Sequence, residues 1–180
     1  MTQAVSDGIR INRTTISLIK DDITDLDIEA FVFYAQPDLA LGSGFGGAIS
    51  VRGGPTVQKE LEQLAPVATG EAVVSAAGNL KAQYIIHAVG PRFQEPDTEK
   101  KLYSTVLNCL KRAEEKGIER IAFPAMGAGY YGILPEVSAR VMMDVFKNRL
   151  AGESSVKEIV ICVLDTPQYN SFKAALAALN

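Results

Sequence analysis

Residues 120–132, RIAFPAMGAGYYG, decide how this chain of 180 residues folds. The apolar run at 120–124 predicts a buried strand. Three glycines follow it with the spacing G-x-G-x-x-G, and Pro135 then suits the first position of a helix over 136–149. A strand, a glycine-rich turn and a helix in this order predict one unit of a parallel sheet, with free backbone N–H groups at the turn.

The rest of the chain continues this alternation of strands and helices. It predicts an α/β fold whose largely parallel sheet is covered by helices on both faces. Neither a repeat nor a linker divides the elements, so we expect a flexible N-terminal segment, 1–8, and a single domain over 9–180. The further predicted elements are strands at 9–19, 29–35, 71–76, 83–89 and 156–164 and helices at 47–51, 56–64, 98–116 and 169–179.

The composition limits the function. Hydrophobic residues make up 47% of the chain, enough for a substantial core, and the net charge is only −3. A broad nucleic-acid interface needs a basic face, so no direct nucleic-acid binding is expected. Neither a signal peptide nor a membrane-spanning stretch is recognisable, which predicts a cytoplasmic protein without membrane contact. The single histidine, His87, lies in an apolar strand and is expected to be structural. With only two widely spaced cysteines, neither a metal site nor a cofactor is predicted.

Another glycine-rich stretch, 42–47, has the same spacing as 127–132 and is the first of the two loops along the chain. Either loop could hold phosphate groups, because glycine lets the backbone approach closely, or could simply permit a tight turn. A dinucleotide-binding fold would need an acidic residue about 20 positions later, at the end of the next strand. The first loop offers only Glu60 and Glu62 on a predicted helix, and the second offers Asp165, much further on. Neither loop therefore fits a dinucleotide-binding fold. The presence of two such loops favours a site in which they hold one diphosphate from opposite sides.

Four short motifs, in this order, resemble those of macro domains. They are Asp22-Ile23-Thr24, TGEA at 69–72, IHAVGP at 86–91 and IAFPAMGAGYYG at 121–132, within a resemblance that covers nearly the whole chain. Macro domains are three-layer α/β/α sandwiches with a central mixed, largely parallel sheet. They bind ADP-ribose, and some remove ADP-ribose or acetyl groups. The resemblance implies the same fold here, with ADP-ribose or an ADP-ribosylated macromolecule as the ligand.

The resemblance also implies a set of ligand-binding residues. Asp22 resembles the acid that accepts a hydrogen bond from the adenine amino group, with the backbone of Ile23 beside it. The alternative is that Asp21 or Asp22 caps a turn. The first glycine loop would contact phosphate and the distal ribose, and the second would hold the diphosphate through backbone N–H groups. The implied loop residues are Gly42, Ser43, Gly44, Phe45, Gly127, Ala128, Gly129, Tyr130 and Tyr131.

Aromatic and strand-end residues complete the implied site. Tyr131 would lie against the distal ribose and Phe45 would close the opposite wall, unless these rings and Tyr130 simply pack beside glycines. Leu164 stands where an adenine-stacking aromatic residue is common in the family. Asp165 follows it at the carboxyl end of a strand, where it either lines the site or caps the next turn.

Residues 33–36, FYAQ, depart from the Asn-Ala-Ala-Asn that many hydrolytic members of the family carry at this place. Gln36 keeps an amide and is the one candidate for a catalytic role. It is a methylene longer than asparagine, however, and catalysis tolerates little displacement. The first-loop region, GFGGAI at 44–49, most resembles the macro domain of a core-histone variant, which binds ADP-ribose without obvious hydrolysis. The resemblance therefore favours binding of ADP-ribose or a derivative.

Two other functions stay open at this point. One is hydrolysis of ADP-ribosyl groups or of O-acetyl-ADP-ribose, with Gln36 positioning the ribose and the substrate's own phosphate assisting water. The other is a role in protein contacts only, since Phe33 and Tyr34 could fill the pocket and prevent ligand binding.

Overall fold

A seven-stranded sheet forms the centre of the computed structural model, which describes residues 8–179. The spatial order of the strands is β1-β2-β7-β6-β3-β5-β4. The five inner strands run parallel, and β1 and β4 pair antiparallel at the two edges. The strands are β1 (Ile9–Ile11), β2 (Thr14–Lys20), β3 (Ala30–Ala35), β4 (Ala72–Ala76), β5 (Tyr84–Val89), β6 (Arg120–Phe123) and β7 (Glu158–Val163).

Helices cover both faces of this sheet. The first two pack on one face through a core that includes Phe31 and Leu61, and the other three pack on the opposite face around Phe123 and Phe146. Three layers result, which confirms the predicted α/β/α sandwich with a mixed, largely parallel sheet. The helices are α1 (Gly44–Gly53), α2 (Pro55–Leu64), α3 (Thr98–Glu115), α4 (Pro135–Leu150) and α5 (Thr166–Ala177).

Three predicted elements differ from the structure by more than two residues at a boundary or are divided in it. The stretch 9–19 is a hairpin rather than one strand, because Asn12 takes a φ of +55° that asparagine tolerates and the chain reverses there. The first helix begins at Gly44 instead of residue 47, since tertiary packing outweighs the low helix propensity of glycine. The last helix begins at Thr166 instead of residue 169, because the Asp165 carboxylate accepts the Gln168 N–H and caps it.

The chain opens a crevice where β3 and β6 separate. Their pairing stops after Phe31↔Ala122, although β3 continues beside β5 as far as Ala35. The helix after β3 lies on one face of the sheet and the helix after β6 lies on the other. Neighbouring parallel strands whose connections leave in opposite directions form a crevice at their carboxyl ends, where α/β proteins bind ligands. Within residues 8–179, no helix is both long and apolar enough to cross a bilayer.

His87 is fully buried on β5, in the layer of α1 and α2. Its Nε2 shares a hydrogen bond of 2.8 Å with the Ser75 hydroxyl. The Phe33 and His87 rings form a T-shaped pair with centroids 6.1 Å apart. Its Nδ1 has no hydrogen-bond partner among residues 8–179. Burial lowers the pKa of His87 from its ordinary value of 6.5 to about 3, so the ring is neutral inside the folded protein.

This buried ring predicts a pH dependence of stability. The unfolded chain binds a proton at His87 below about pH 6.5, but the folded chain does so only near pH 3. Stability from His87 is therefore complete above pH 6.5 and falls by up to about 1.4 kcal/mol per pH unit as the pH drops toward 3. Urea unfolding of the wild type and His87→Gln between pH 7 and pH 4 measures the difference in unfolding free energy.

We expect the unfolding free energy of the wild type to fall relative to that of His87→Gln as the pH drops, because only the wild type carries the titrating ring. Ser75→Ala is the control, since it removes the hydrogen bond but keeps His87. A difference between wild type and His87→Gln that stays constant over this pH range would show that the pKa of His87 is not depressed.

Candidate ligand cleft between two glycine loops

A cleft of about 430 Å³ lies at the carboxyl ends of the inner strands, in the crevice between β3 and β6. Its volume falls in the range of small-molecule sites, about 300–1,000 Å³. One end of the cleft lies beside β2 and β7, which we call the β2/β7 end. The other lies beside β3, which we call the β3 end. The two glycine loops line the space along its length.

The first wall is the loop that leads into α1. Gly42 and Gly44 have φ values of +65° and +61°, and a Cβ at either position would meet open space. The first N–H groups of a helix have no partner within it, so the start of α1 can donate to an anion in the cleft. Gly46 fixes this arrangement, because a Cβ there would lie 1.6 Å from the Leu41 carbonyl oxygen.

The second wall is the loop after β6. Gly127, with a φ of +78°, lies so close to Ile133 that a Cβ would come within 2.4 Å of the isoleucine Cδ1. Gly129, with a φ of +75°, opens a 3-10 turn over Gly129–Tyr131 and has open space around it. The buried Ser138 hydroxyl of α4 donates to the Met126 carbonyl and anchors the loop to the helix. Backbone again forms the surface that a ligand would meet.

Aromatic rings form the β3 end. The rings of Tyr34 and Tyr131 lie 4.6 Å apart, and Tyr130 packs edge-on against Tyr131 at 5.2 Å. Tyr34 is buried, and its hydroxyl donates to the Pro91 carbonyl outside the cleft. Burial raises the pKa of Tyr34 far above its ordinary value, so this phenol stays protonated. Phe33 lies beside Tyr34 in the same wall, and the cleft remains open next to both rings.

Aliphatic and polar groups form the β2/β7 end. Leu164 is 57% exposed there, Ile23 lines the same cleft, and the Gln168 side chain accepts the Leu164 N–H. The Cys162 thiol donates to the Asp21 carbonyl at 3.3 Å. Burial raises the pKa of Cys162 to about 12, so the thiol is uncharged and a poor nucleophile. This end can cover a flat group on its apolar surface, but it carries no reactive thiolate.

Asp22 lies beside the β2/β7 end without lining the cleft itself. Its carboxylate accepts the N–H and the hydroxyl of Thr24, at 2.9 and 2.6 Å, and so caps a 3-10 turn over Ile23–Asp25. Arg52 Nη2 lies 3.1 Å from Asp22 Oδ2. Burial acts to raise the pKa of Asp22, but the Thr24 hydrogen bonds and Arg52 outweigh it and lower the pKa, so the carboxyl is ionised.

The structure brings most of the predicted site residues together. Only Asp22 and Asp165 stay out of the cleft wall, and Asp165 caps α5 through the Gln168 N–H. The predicted residues that line the cleft are Ile23, Gln36, Gly42, Ser43, Gly44, Phe45, Gly127, Ala128, Gly129, Tyr130, Tyr131 and Leu164. Those that the sequence did not single out as binding residues are Asp21, Val32, Phe33, Tyr34, Leu41, Pro124, Ala125, Cys162 and Gln168.

A signal existed for some of these residues. Pro124, Ala125 and Cys162 lie at or after the carboxyl ends of strands, the edge where α/β sheets build sites. Gln168 carried none, because it reaches the cleft from the first turn of α5, where its side chain accepts the Leu164 N–H.

A second groove, of about 640 Å³, lies at the amino ends of the strands. It is larger but shallow and polar, and two of its charged side chains, Arg149 and Glu114, pair with each other. The cleft between the loops is the stronger candidate, because it combines apolar surface with convergent backbone donors. Within residues 8–179, no His, Cys, Asp and Glu side chains gather into a cluster of three that could hold a metal ion.

Neighbouring glycines in α1 provide a direct test of the first wall. Gly46→Ala places a methyl group on the Leu41 carbonyl, so the loop must shift, at a cost of about 1–3 kcal/mol or more. Gly47→Ala meets only an ordinary contact, with the Gly42 carbonyl at 3.5 Å, and should gain about 0.5–1 kcal/mol from better helix propensity. Urea denaturation of both variants measures the difference. Equal effects of the two substitutions would mean that the close contact at Gly46 does not shape the wall.

Known proteins resemble this chain over nearly its full length. A protein of Caldanaerobacter subterraneus described as macro domain-containing is 37% identical, over 92% of this chain and 97% of its own. A Pantoea vagans protein named O-acetyl-ADP-ribose deacetylase 2 is 32% identical, over 87% and 95%. A solved mutant of the Oceanobacillus iheyensis macrodomain with ADPR matches with a TM-score of 0.91 and 26% identity, over 98% of each chain. The Macro domain family model matches residues 35–142, which contain both glycine loops, and the chain therefore belongs to the macro domain family.

Proposed function

We propose that this chain binds ADP-ribose, free or attached to a macromolecule, in the cleft between the two glycine loops. The observation that carries the proposal is the pair of loops lining one cleft, with open space over Gly42, Gly44 and Gly129. Glycine at these positions keeps side chains away from the N–H groups that a diphosphate would meet. The resemblance to a macrodomain mutant with ADPR, at 26% identity, gives further support.

Backbone groups carry the recognition of phosphate in this proposal. No Lys, Arg or His belongs to the cleft wall that the described residues form. The charge of a diphosphate is then met by the positive end of α1 and by N–H groups of the turn Gly129–Tyr131. Such donors are fixed before the ligand arrives, so they favour a diphosphate of matching geometry over other anions.

The two ends of the cleft differ in a way that orients the ligand. We place the base at the β2/β7 end, where Leu164 offers an apolar surface and the backbone of Ile23 lies close to Asp22. The distal ribose then lies at the β3 end, against Tyr131 and Gln36. Tyr130 is 81% exposed at that end, so this end of the cleft opens to solvent. A macromolecule attached to the distal ribose would then extend away from the protein. A cytoplasmic location is part of the proposal, since both cysteines are free.

Calorimetric titration with ADP-ribose tests the proposal, with two glycines as a matched pair. Gly129 and Gly117 have similar φ values, +75° and +70°, and open space around the missing Cβ, but only Gly129 lines the cleft. Both alanine variants should lose about 1–2 kcal/mol of stability through left-handed backbone strain. Only Gly129→Ala should lower the affinity for ADP-ribose, by about tenfold or more, because its methyl group occupies space needed by the diphosphate.

Wild-type protein should give saturable heat, and Gly117→Ala should match it. Absence of binding by the folded wild type at millimolar ADP-ribose would overturn the proposal. Equal loss of affinity in the two variants would place the binding site elsewhere.

Hydrolysis of O-acetyl-ADP-ribose is a second candidate, because Gln36 lines the β3 end. The relative named O-acetyl-ADP-ribose deacetylase 2 supports testing this substrate. The Gln36 amide can position a ribose hydroxyl. The cleft wall offers no histidine or carboxylate side chain at the β3 end as a general base.

Single-turnover assays with O-acetyl-ADP-ribose, in which the released acetate is measured, test this activity. If Gln36 acts in catalysis, Gln36→Ala should lower the rate by about tenfold or more while ADP-ribose affinity changes less. Gln63→Ala is a suitable control, since that glutamine is exposed on α2 and does not line the cleft. Turnover that is unaffected by Gln36→Ala would exclude this role for Gln36.

A further inference from the structure

Arg52 joins the far end of α1 to the turn that follows β2. Its Nη2 lies 3.1 Å from Asp22 Oδ2 and also donates to the Thr24 hydroxyl, and its Nη1 lies 3.7 Å from Asp25 Oδ1. Lys81 approaches the same Asp25 oxygen at 3.5 Å and makes no ion pair with Asp22. Arg52 therefore connects the helix that begins at the first glycine loop with the segment beside the β2/β7 end.

The hydrogen bonds of Asp22 leave one acceptor position unused. An ionised carboxylate has about four lone-pair sites. Oδ1 uses two of them for the N–H and the hydroxyl of Thr24, which is itself buried. Oδ2 accepts only from Arg52 among the described residues, and the Asp22 side chain is 44% exposed. One lone pair of Oδ2 is thus available to a donor outside the protein.

We propose that Arg52 is a positioning residue for base recognition, which holds Asp22 so that the unused acceptor of Oδ2 meets the exocyclic amino group of a 6-aminopurine. The inference rests on the proposed function, because it assumes that the base lies at the β2/β7 end. Thr24 binds only Oδ1, whereas Arg52 binds Oδ2, the oxygen that keeps the unused acceptor. A 6-oxopurine would place an oxygen against this carboxylate, where two acceptors repel each other.

The charge of Arg52 offers a competing explanation. Asp21, Asp22 and Asp25 lie close together in sequence, and a cation among them would reduce repulsion of any diphosphate. A purely electrostatic role would change the affinity of 6-amino and 6-oxo ligands equally. A positioning role would change the ratio of the two affinities, and this difference makes the two roles distinguishable.

The experiment measures binding of ADP-ribose and of inosine diphosphate ribose by calorimetry. The wild type should prefer ADP-ribose by about tenfold or more, as expected for a hydrogen bond to a charged group. Arg52→Gln should lower the affinity for ADP-ribose by about tenfold and the affinity for inosine diphosphate ribose much less. The ratio of the two affinities should then be close to one. Arg52→Lys keeps the charge without the same donor geometry and should give an intermediate ratio.

Lys81→Gln is the matched control, because it removes a positive charge beside Asp25 but leaves Asp22 untouched. Its ratio should equal that of the wild type. Thermal melting verifies that each variant is folded. If Arg52→Gln does not fold, the affinity ratio of Arg52→Lys alone tests the positioning role.

The outcomes separate this inference from the proposed function. No binding of ADP-ribose by the wild type would overturn both. Binding by the wild type, with a ratio that neither Arg52 variant changes, would overturn the role of Arg52 and leave the cleft as the ligand site.

Discussion

The carbonyl oxygen of Leu41 occupies the place where a side chain of residue 46 would begin, and this close approach determines the shape of the first wall. It lets the chain turn directly into α1, so that the start of that helix faces the cleft. Gly127 has a comparable part in the second wall, where Ile133 packs against its α-carbon. The two glycine loops therefore meet the cleft with backbone, and their form depends on positions that tolerate no Cβ.

A wall made of backbone has chemical consequences. Helix ends and tight turns present N–H groups whose positions are set by the fold rather than by flexible side chains. The cationic side chains Arg52 and Lys81 remain outside this wall and pair with carboxylates. Charge and geometry are thus separated, with donors inside the cleft and an ion-pair cluster beside its β2/β7 end.

The sequence allowed the architecture to be predicted because local patterns agree with the fold. Apolar runs marked the buried strands, and Pro135 and Gly117 mark helix boundaries in the structure as they did in the sequence. The predicted start of the first helix at residue 47 was wrong, because helix propensity counts glycine against a helix and cannot register the contact with Leu41. The hairpin at Asn12 was missed for a similar reason, since one residue with positive φ reversed an apparently continuous strand.

The candidate site was predictable where it depends on spacing and less so where it depends on assembly. The glycine spacing and the family motifs identified both loops. No local pattern could show that Arg52, thirty positions from Asp22, would satisfy one carboxylate oxygen and leave a lone pair free. The same holds for Gln168, which enters the wall from another helix, and for Tyr34, whose hydroxyl is bound by Pro91 on a distant segment. Such contacts are set by tertiary packing.

The aromatic β3 end has an optical consequence. The chain has six tyrosines and no tryptophan, and Tyr34, Tyr130 and Tyr131 all lie in the cleft wall. Half of the tyrosine side chains therefore lie where a ligand would stack, and no tryptophan fluorescence masks theirs. The unlabelled protein carries its own spectroscopic probe of whether the cleft is occupied.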